Sequence, residues 1–175
     1  MFHYKLFLNM NNEKKALEAQ GFEGFKSMGE LMNGTKSIIP AQMGVYVVLR
    51  QGSTEPIFLS KGTGGFFKDK DPNVSISELK NNWVENTNIV YIGKAGGTGS
   101  KSTLQKRIGQ YLRFGQGGNV GHYGGRYIWQ LKDSYELIVC WKTLSLEEPR
   151  QVESQMITDF KKAHNGKLPF ANLTV

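Results

Sequence analysis

The run GVYVVLR at residues 44–50 alternates and is rich in β-branched residues, so it reads as a strand started by Gly44 and the chain is built on a sheet. Val45, Val47 and Leu49 then point one way, and Tyr46, Val48 and Arg50 the other. NIVYIG at 88–93 is a second strand, ended by glycine. Some 37 residues separate the two, too many for a hairpin loop. They form an insertion, with a short helix predicted over 77–83.

In STLQKRIGQYLRFG, residues Leu104, Ile108, Tyr111 and Leu112 form a helical stripe, with Ser102 or Thr103 as N-cap and Gly115 as the stop. RYIWQL (126–131) and YELIVCWK (135–142) read as strands. The segment SLEEPRQVESQMITDFKKAH opens with a capping box, Ser145 and Glu148; Pro149 suits its first turn, and Val152, Met156 and Phe160 supply its apolar stripe. Upstream, residues 12–32 read as helix broken at GFEGF. The expected fold is an α/β chain of the α+β kind, a small central antiparallel sheet flanked by helices. It forms one domain over 1–175, with 1–40 an N-terminal extension and 44–173 the core.

The net charge of +7 favours a polyanionic partner, and its distribution says more. Residues 91 to 131 hold Lys94, Lys101, Lys106, Arg107, Arg113 and Arg126, with no acid, and eleven of the 21 glycines. A phosphate-facing surface is expected there; a solvated loop is the plainer alternative. The lone Cys140 lies in the apolar run LIVCW and excludes an internal disulfide framework, and the three histidines are scattered without a zinc pattern. No apolar run approaches the length of a membrane span, and the start lacks signal-peptide features. The expectation is a cytoplasmic protein with no membrane partner.

YIGKAGGTGSKST, from Tyr91, has the glycines and lysines of a phosphate loop, but the nucleotide motifs fail. With Lys101 and Ser102 set as the P-loop lysine and hydroxyl, Ala95 and Ser100 occupy the two glycine positions. Gly97 and Gly99 begin a dinucleotide fingerprint whose third position is Ser102. The turn is therefore expected to face a nucleic-acid backbone.

GVY at 44–46 and YIG at 91–93, followed by Lys94 and a helix with R-x-x-x-Y (Arg107, Tyr111), resemble the GIY-YIG nuclease superfamily. The match continues in order with E-x-x-M-I (Glu153, Met156, Ile157), then Phe160 and P-x-x-N (Pro169, Asn172), and spans residues 44–173. The insertion between the tripeptides is long, and Asn165 is the alternative asparagine by spacing. The GHYGGRYIWQL segment is unlike the best-known members, suggesting a less-studied branch.

The resemblance implies metal-dependent hydrolysis of DNA, with RNA left open. Tyr46 would contact or activate the attacking water and Tyr91 help hold it, with Lys94 a plausible cationic partner for Tyr46; two half-buried sheet tyrosines are the plain alternative. Arg107 and Tyr111 share a helix face and would hold the phosphate, against a surface arginine beside a core tyrosine. Glu153 would bind Mg²⁺ or Mn²⁺, or else pair with a surface cation. Asn172 would orient Glu153 or the phosphate, or be a turn residue. Lys101, Lys106, Arg113, His122 and Arg126 would contact DNA; His122 could equally be exposed at a tight turn. A separate protein could supply specificity. The rival reading is a catalytically weak or inactive nucleic-acid-binding module of the same fold.

Overall fold

The computed structural model describes residues 12–52 and 54–173; the first eleven residues of the expected extension lie outside them. The chain is α+β. Helix α1 covers 12–19, followed by β1 (Glu23–Ser27), α2 (Met28–Met32), β2 (Gly44–Leu49), α3 (Ile76–Asn82), β3 (Ile89–Ala95), α4 (Leu104–Gly115), β4 (Ile138–Thr143) and α5 (Pro149–Ala163). The four strands form one antiparallel sheet in the order β1-β4-β2-β3.

Strand β2 is buried along its whole length, because both faces of the sheet are covered. On one face Tyr46, Val48 and Tyr91 pack with Leu104, Ile108 and Tyr111 of α4. On the other, Val45, Val47 and Ile92 pack with Leu17 of α1 and with Ile157 and Phe160 of α5. Each such side chain removed from water contributes about 1.5–3 kcal/mol, which makes this sandwich the main source of stability. The alternation read for residues 44–50 is the one observed.

Three local expectations are overturned. GFEGF breaks the helix as read, but into a strand: its last three residues begin β1. Gly24 (φ +93°) and Phe25 (φ +47°) bend it, and a Cβ on Gly24 would stand 2.4 Å from the Trp141 indole of the neighbouring strand. RYIWQL is no strand. Its first five residues belong to a 3-10 helix, Tyr123–Gln130, whose polar groups bind the insertion, and Leu131 makes only an isolated bridge to Phe58. Gln130 Nε2 donates to Leu59 O and Val74 O, its Oε1 accepts from Val74 N, and Trp129 O accepts from Thr63 N. The capping box is also absent: α5 starts at Pro149, with Glu148 in the N-cap position making no side-chain cap bond and Ser145 outside the helix. Thr103 is the N-cap of α4, accepting from Lys106 N. Gly115 is its last helical residue, and Gly117 makes the left-handed turn (φ +83°).

Candidate active site

The site grows from the β2–β3 pair. Tyr46 stands opposite Gly93 and Val48 opposite Tyr91, so both phenols rise from one face, their ring centres 5.9 Å apart. Gly93 makes this possible. A Cβ there would lie 2.5 Å from Tyr46 Cζ and 2.7 Å from its hydroxyl. The glycine of YIG is thus the seat of the tyrosine of GVY.

Helix α4 covers these rings with Arg107 and Tyr111, one turn apart. Arg107 Nη1 donates to Gly121 O at 3.0 Å, and Tyr111 Oη donates to Gly125 O at 2.7 Å. Together they grip both ends of the loop that carries His122. The His122 ring lies flat on Tyr111 (3.8 Å between centres, 7° between planes), and its Nε2 is 2.9 Å from Tyr46 Oη. His122 is 1% exposed, so the open-turn alternative is wrong: it is the buried partner of Tyr46. Its Nδ1 is buried without a hydrogen-bond partner. A buried orphan N–H is rarer than a bare acceptor, so we assign the proton to Nε2, which then donates to Tyr46.

Burial, first of all, holds Tyr46 well above the ordinary phenol range; neighbouring Tyr91 adds to this, the Arg107 charge opposes it, and Glu153 raises it again. Tyr91 is raised by burial, with the Arg107 charge and then the neighbouring Tyr46 hydroxyl pulling it down. His122 is held neutral by burial and then by the Arg107 charge. Tyr111 is raised by burial and engaged by Gly125, which makes it a support for His122. Glu153 is raised by burial and drawn back by Lys94, Arg107 and Arg150 in that order. The Glu153 charge in turn raises Tyr46 and Tyr91 slightly, from a helix that covers the other face of the sheet.

Other expected residues lie elsewhere. Lys94 pairs with Val45 in the β2–β3 register and so points away from Tyr46; its charge acts on Glu153, and Arg107 is the cation that Tyr46 senses. Asn172 accepts from Ile92 N (2.9 Å) and donates to Ile92 O (2.8 Å), sealing the outer edge of β3 rather than orienting Glu153. Asn165 sits exposed with φ +53° just beyond the end of α5, a turn residue. Lys101, Lys106 and Arg113 are exposed and can meet an external polyanion. Arg126 instead lies over the Tyr123 and Tyr127 rings, at 4.2 and 5.1 Å.

The glycine-rich turn already holds an anion of the protein's own. Gly96, Gly97 and Gly99 all have positive φ, and the Glu148 carboxylate accepts from Thr98 N at 3.1 and 3.2 Å and from its hydroxyl at 3.1 Å. A Cβ on Gly97 would stand 2.1 Å from Glu148 Oε1. The expectation that the turn itself faces backbone phosphate is corrected: it fastens the start of α5.

Among the described residues no cluster of three His, Cys, Asp or Glu side chains could hold a metal. The carboxylate of the site is Glu153, half-buried and in no hydrogen bond or close ion pair among the described residues. A single hard oxygen ligand of this kind fits Mg²⁺, which keeps most of its waters. The other hard donors would come from water and phosphate.

Comparison with protein-family models, with curated proteins and with solved structures finds no match for this chain.

Proposed function

We propose that the protein is a metal-dependent endonuclease of the GIY-YIG type, hydrolysing phosphodiester bonds in DNA. The observation that carries this reading is the buried pairing of Tyr46 with His122, walled by Tyr91 and Tyr111 and facing the charges of Arg107 and Glu153. Such a group has the parts that phosphodiester hydrolysis needs: a base for the attacking water, and fixed positive charge for the developing oxyanion.

Tyr46 is the water-activating residue. As a phenolate it would accept a proton from the attacking water; burial opposes that form, and the Arg107 charge and the hydrogen bond from His122 Nε2 act against that opposition. Tyr91 holds Tyr46 in register and presents a second oxygen to the water. Arg107 neutralises a non-bridging phosphoryl oxygen through the part of its fork not bound to Gly121. Mg²⁺ or Mn²⁺, held by Glu153, would supply Lewis-acid activation and charge neutralisation. Lys101, Lys106 and Arg113 give sequence-independent affinity for the backbone.

Arg107→Ala tests the reading. Cleavage is expected to fall by ~100-fold or more, as for loss of a transition-state donor. Binding should weaken only modestly, with the salt slope falling by about one unit. Equal, small losses in both would reduce Arg107 to a surface charge.

One observation favours a second reading, a nucleic-acid-binding module without catalysis: Tyr46 is fully buried, so water reaches its hydroxyl only if the rings around it part. Cleavage by the wild-type protein separates the two.

A further inference from the structure

We propose that the insertion presents Phe66 as a stacking platform for an unpaired base, so that the site prefers single-stranded or branched nucleic acid to continuous duplex; this rests on the nucleic-acid reading above. Phe66 is 54% exposed. A lone exposed aromatic ring means little, but this one is held out by a loop fixed on both sides. Before it, Gly62 N donates to Asn73 Oδ1 (2.7 Å) and Gly65 N to Phe114 O (2.8 Å). Gly65 lies so close to the chain that a Cβ there would be 2.0 Å from Gly118 O. After it, Phe67 turns inward against the core, its ring 3.5 Å from where a Cβ of Gly121 would stand. With both neighbours anchored, Phe66 has no route into the core.

The loop then takes a conformation that ordinary residues avoid. Lys68 and Asp69 both have left-handed backbone, φ +54° and +57°, without being glycine. Such strain persists where surrounding structure enforces it, and it marks functional loops. Lys68 and Lys70 are exposed in the same loop, Lys68 Nζ lying over the Phe67 ring, 5.4 Å from its centre. Of the nearby acids, Asp71 is engaged by Asn73 N and Nδ2, and Asp69 is exposed.

Position ties this platform to the site. Gly121, against which Phe67 packs, supplies the carbonyl that accepts from Arg107. The 62–70 loop is therefore a neighbour of Arg107, within reach of a strand whose phosphate meets that residue. Flanking lysines fit a polyanion rather than an apolar protein segment, and a ring can stack only on a base that is not already stacked in a duplex.

The test measures binding of wild type, Phe66→Ala and Phe66→Trp to a fluorescein-labelled single strand and to the blunt duplex of the same sequence, with Ca²⁺ in place of Mg²⁺. For Phe66→Ala, single-strand affinity should fall about 5- to 150-fold, the worth of one base–aromatic stack, with blunt-duplex affinity and salt slope unchanged. Phe66→Trp should restore affinity, and its added indole fluorescence should be quenched by the single strand. Wild-type binding that is indifferent to Phe66→Ala, or weakened alike for both DNAs, overturns the platform while leaving the nuclease reading intact. No wild-type binding to either DNA overturns both.

Discussion

Gly93→Ala is the sharpest probe of how the site is assembled. The backbone at Gly93 is ordinary, so an alanine meets no conformational objection; the difficulty is space. Its Cβ would stand 2.5 Å from Tyr46 Cζ, 2.7 Å from Tyr46 Oη and 2.8 Å from Tyr91 Cε1. Carbon atoms prefer about 3.5–4.0 Å, so the Tyr46 ring must move by roughly 1 Å. It has nowhere easy to go, being fully buried and tied to His122 at 2.9 Å. A shift of that size stretches the pair to about 3.9 Å, beyond a hydrogen bond. Overpacking of this kind costs about 1–3 kcal/mol, and at roughly 2–4 °C per kcal/mol the melting temperature should fall by about 2–12 °C. Misplacing a catalytic group by ~1 Å should lower cleavage by about 100-fold. Melting by circular dichroism and single-turnover cleavage of a supercoiled plasmid read the two effects. Gly109→Ala is the control: a Cβ there meets nothing within 4 Å, and the helix interior should gain ~0.5–1 kcal/mol. A Gly93→Ala protein that melts and cuts like wild type would refute the seating of Tyr46 on Gly93.

Glu153 has a folded pKa above its ordinary value, so its contribution is complete below about pH 4.5 and is lost as pH rises through the folded value. Glu153→Gln should accordingly melt at or above wild type at pH 7–8, with the difference closing towards pH 4; a lower melting point at every pH contradicts the burial argument. His122 has the opposite sign: its depressed folded pKa means stability is full above about pH 6.5 and falls as pH drops towards the folded value. His122→Gln should flatten that acid limb in melts between pH 7 and 5, and an unchanged limb would show that other groups cause it. Asn172→Ala removes both partners of the buried Ile92 backbone and should cost about 2–4 kcal/mol, read by urea unfolding, with cleavage unchanged at low temperature. Loss of turnover in a fully folded Asn172→Ala protein would return that residue to the chemistry.

How far the sequence carries the fold depends on periodicity. Strands β2 and β3 and helices α4 and α5 were legible because each has an apolar face on a regular repeat. Strand β1 was not: Gly24 and Phe25 break the alternation, and the need for glycine there comes from Trp141, far along the chain. Residues 127–130 are buried in succession, which reads as a strand but results from a 3-10 turn closed by Gln130 on the insertion. In the site, Tyr46 and Tyr91 follow from strand alternation, and Arg107 with Tyr111 from helical spacing. His122 lies in a glycine-rich stretch without any period, and its burial depends on Arg107 and Tyr111 gripping Gly121 and Gly125. The glycine-rich turn advertised amides for an anion, but only the fold reveals that Glu148 supplies it.

Metal-dependent cleavage is measured by incubating supercoiled plasmid with the wild-type protein, Tyr46→Phe and Glu153→Gln, each with Mg²⁺, with Mn²⁺ and with EDTA, while DNA binding and melting are followed in parallel. Wild type should nick or linearise the plasmid, EDTA should abolish this, and the two variants should fold and bind DNA but not cut it. A wild-type protein that binds DNA and leaves it intact with either metal is not a nuclease of this kind, and undiminished cutting by Glu153→Gln would remove that carboxylate from the chemistry.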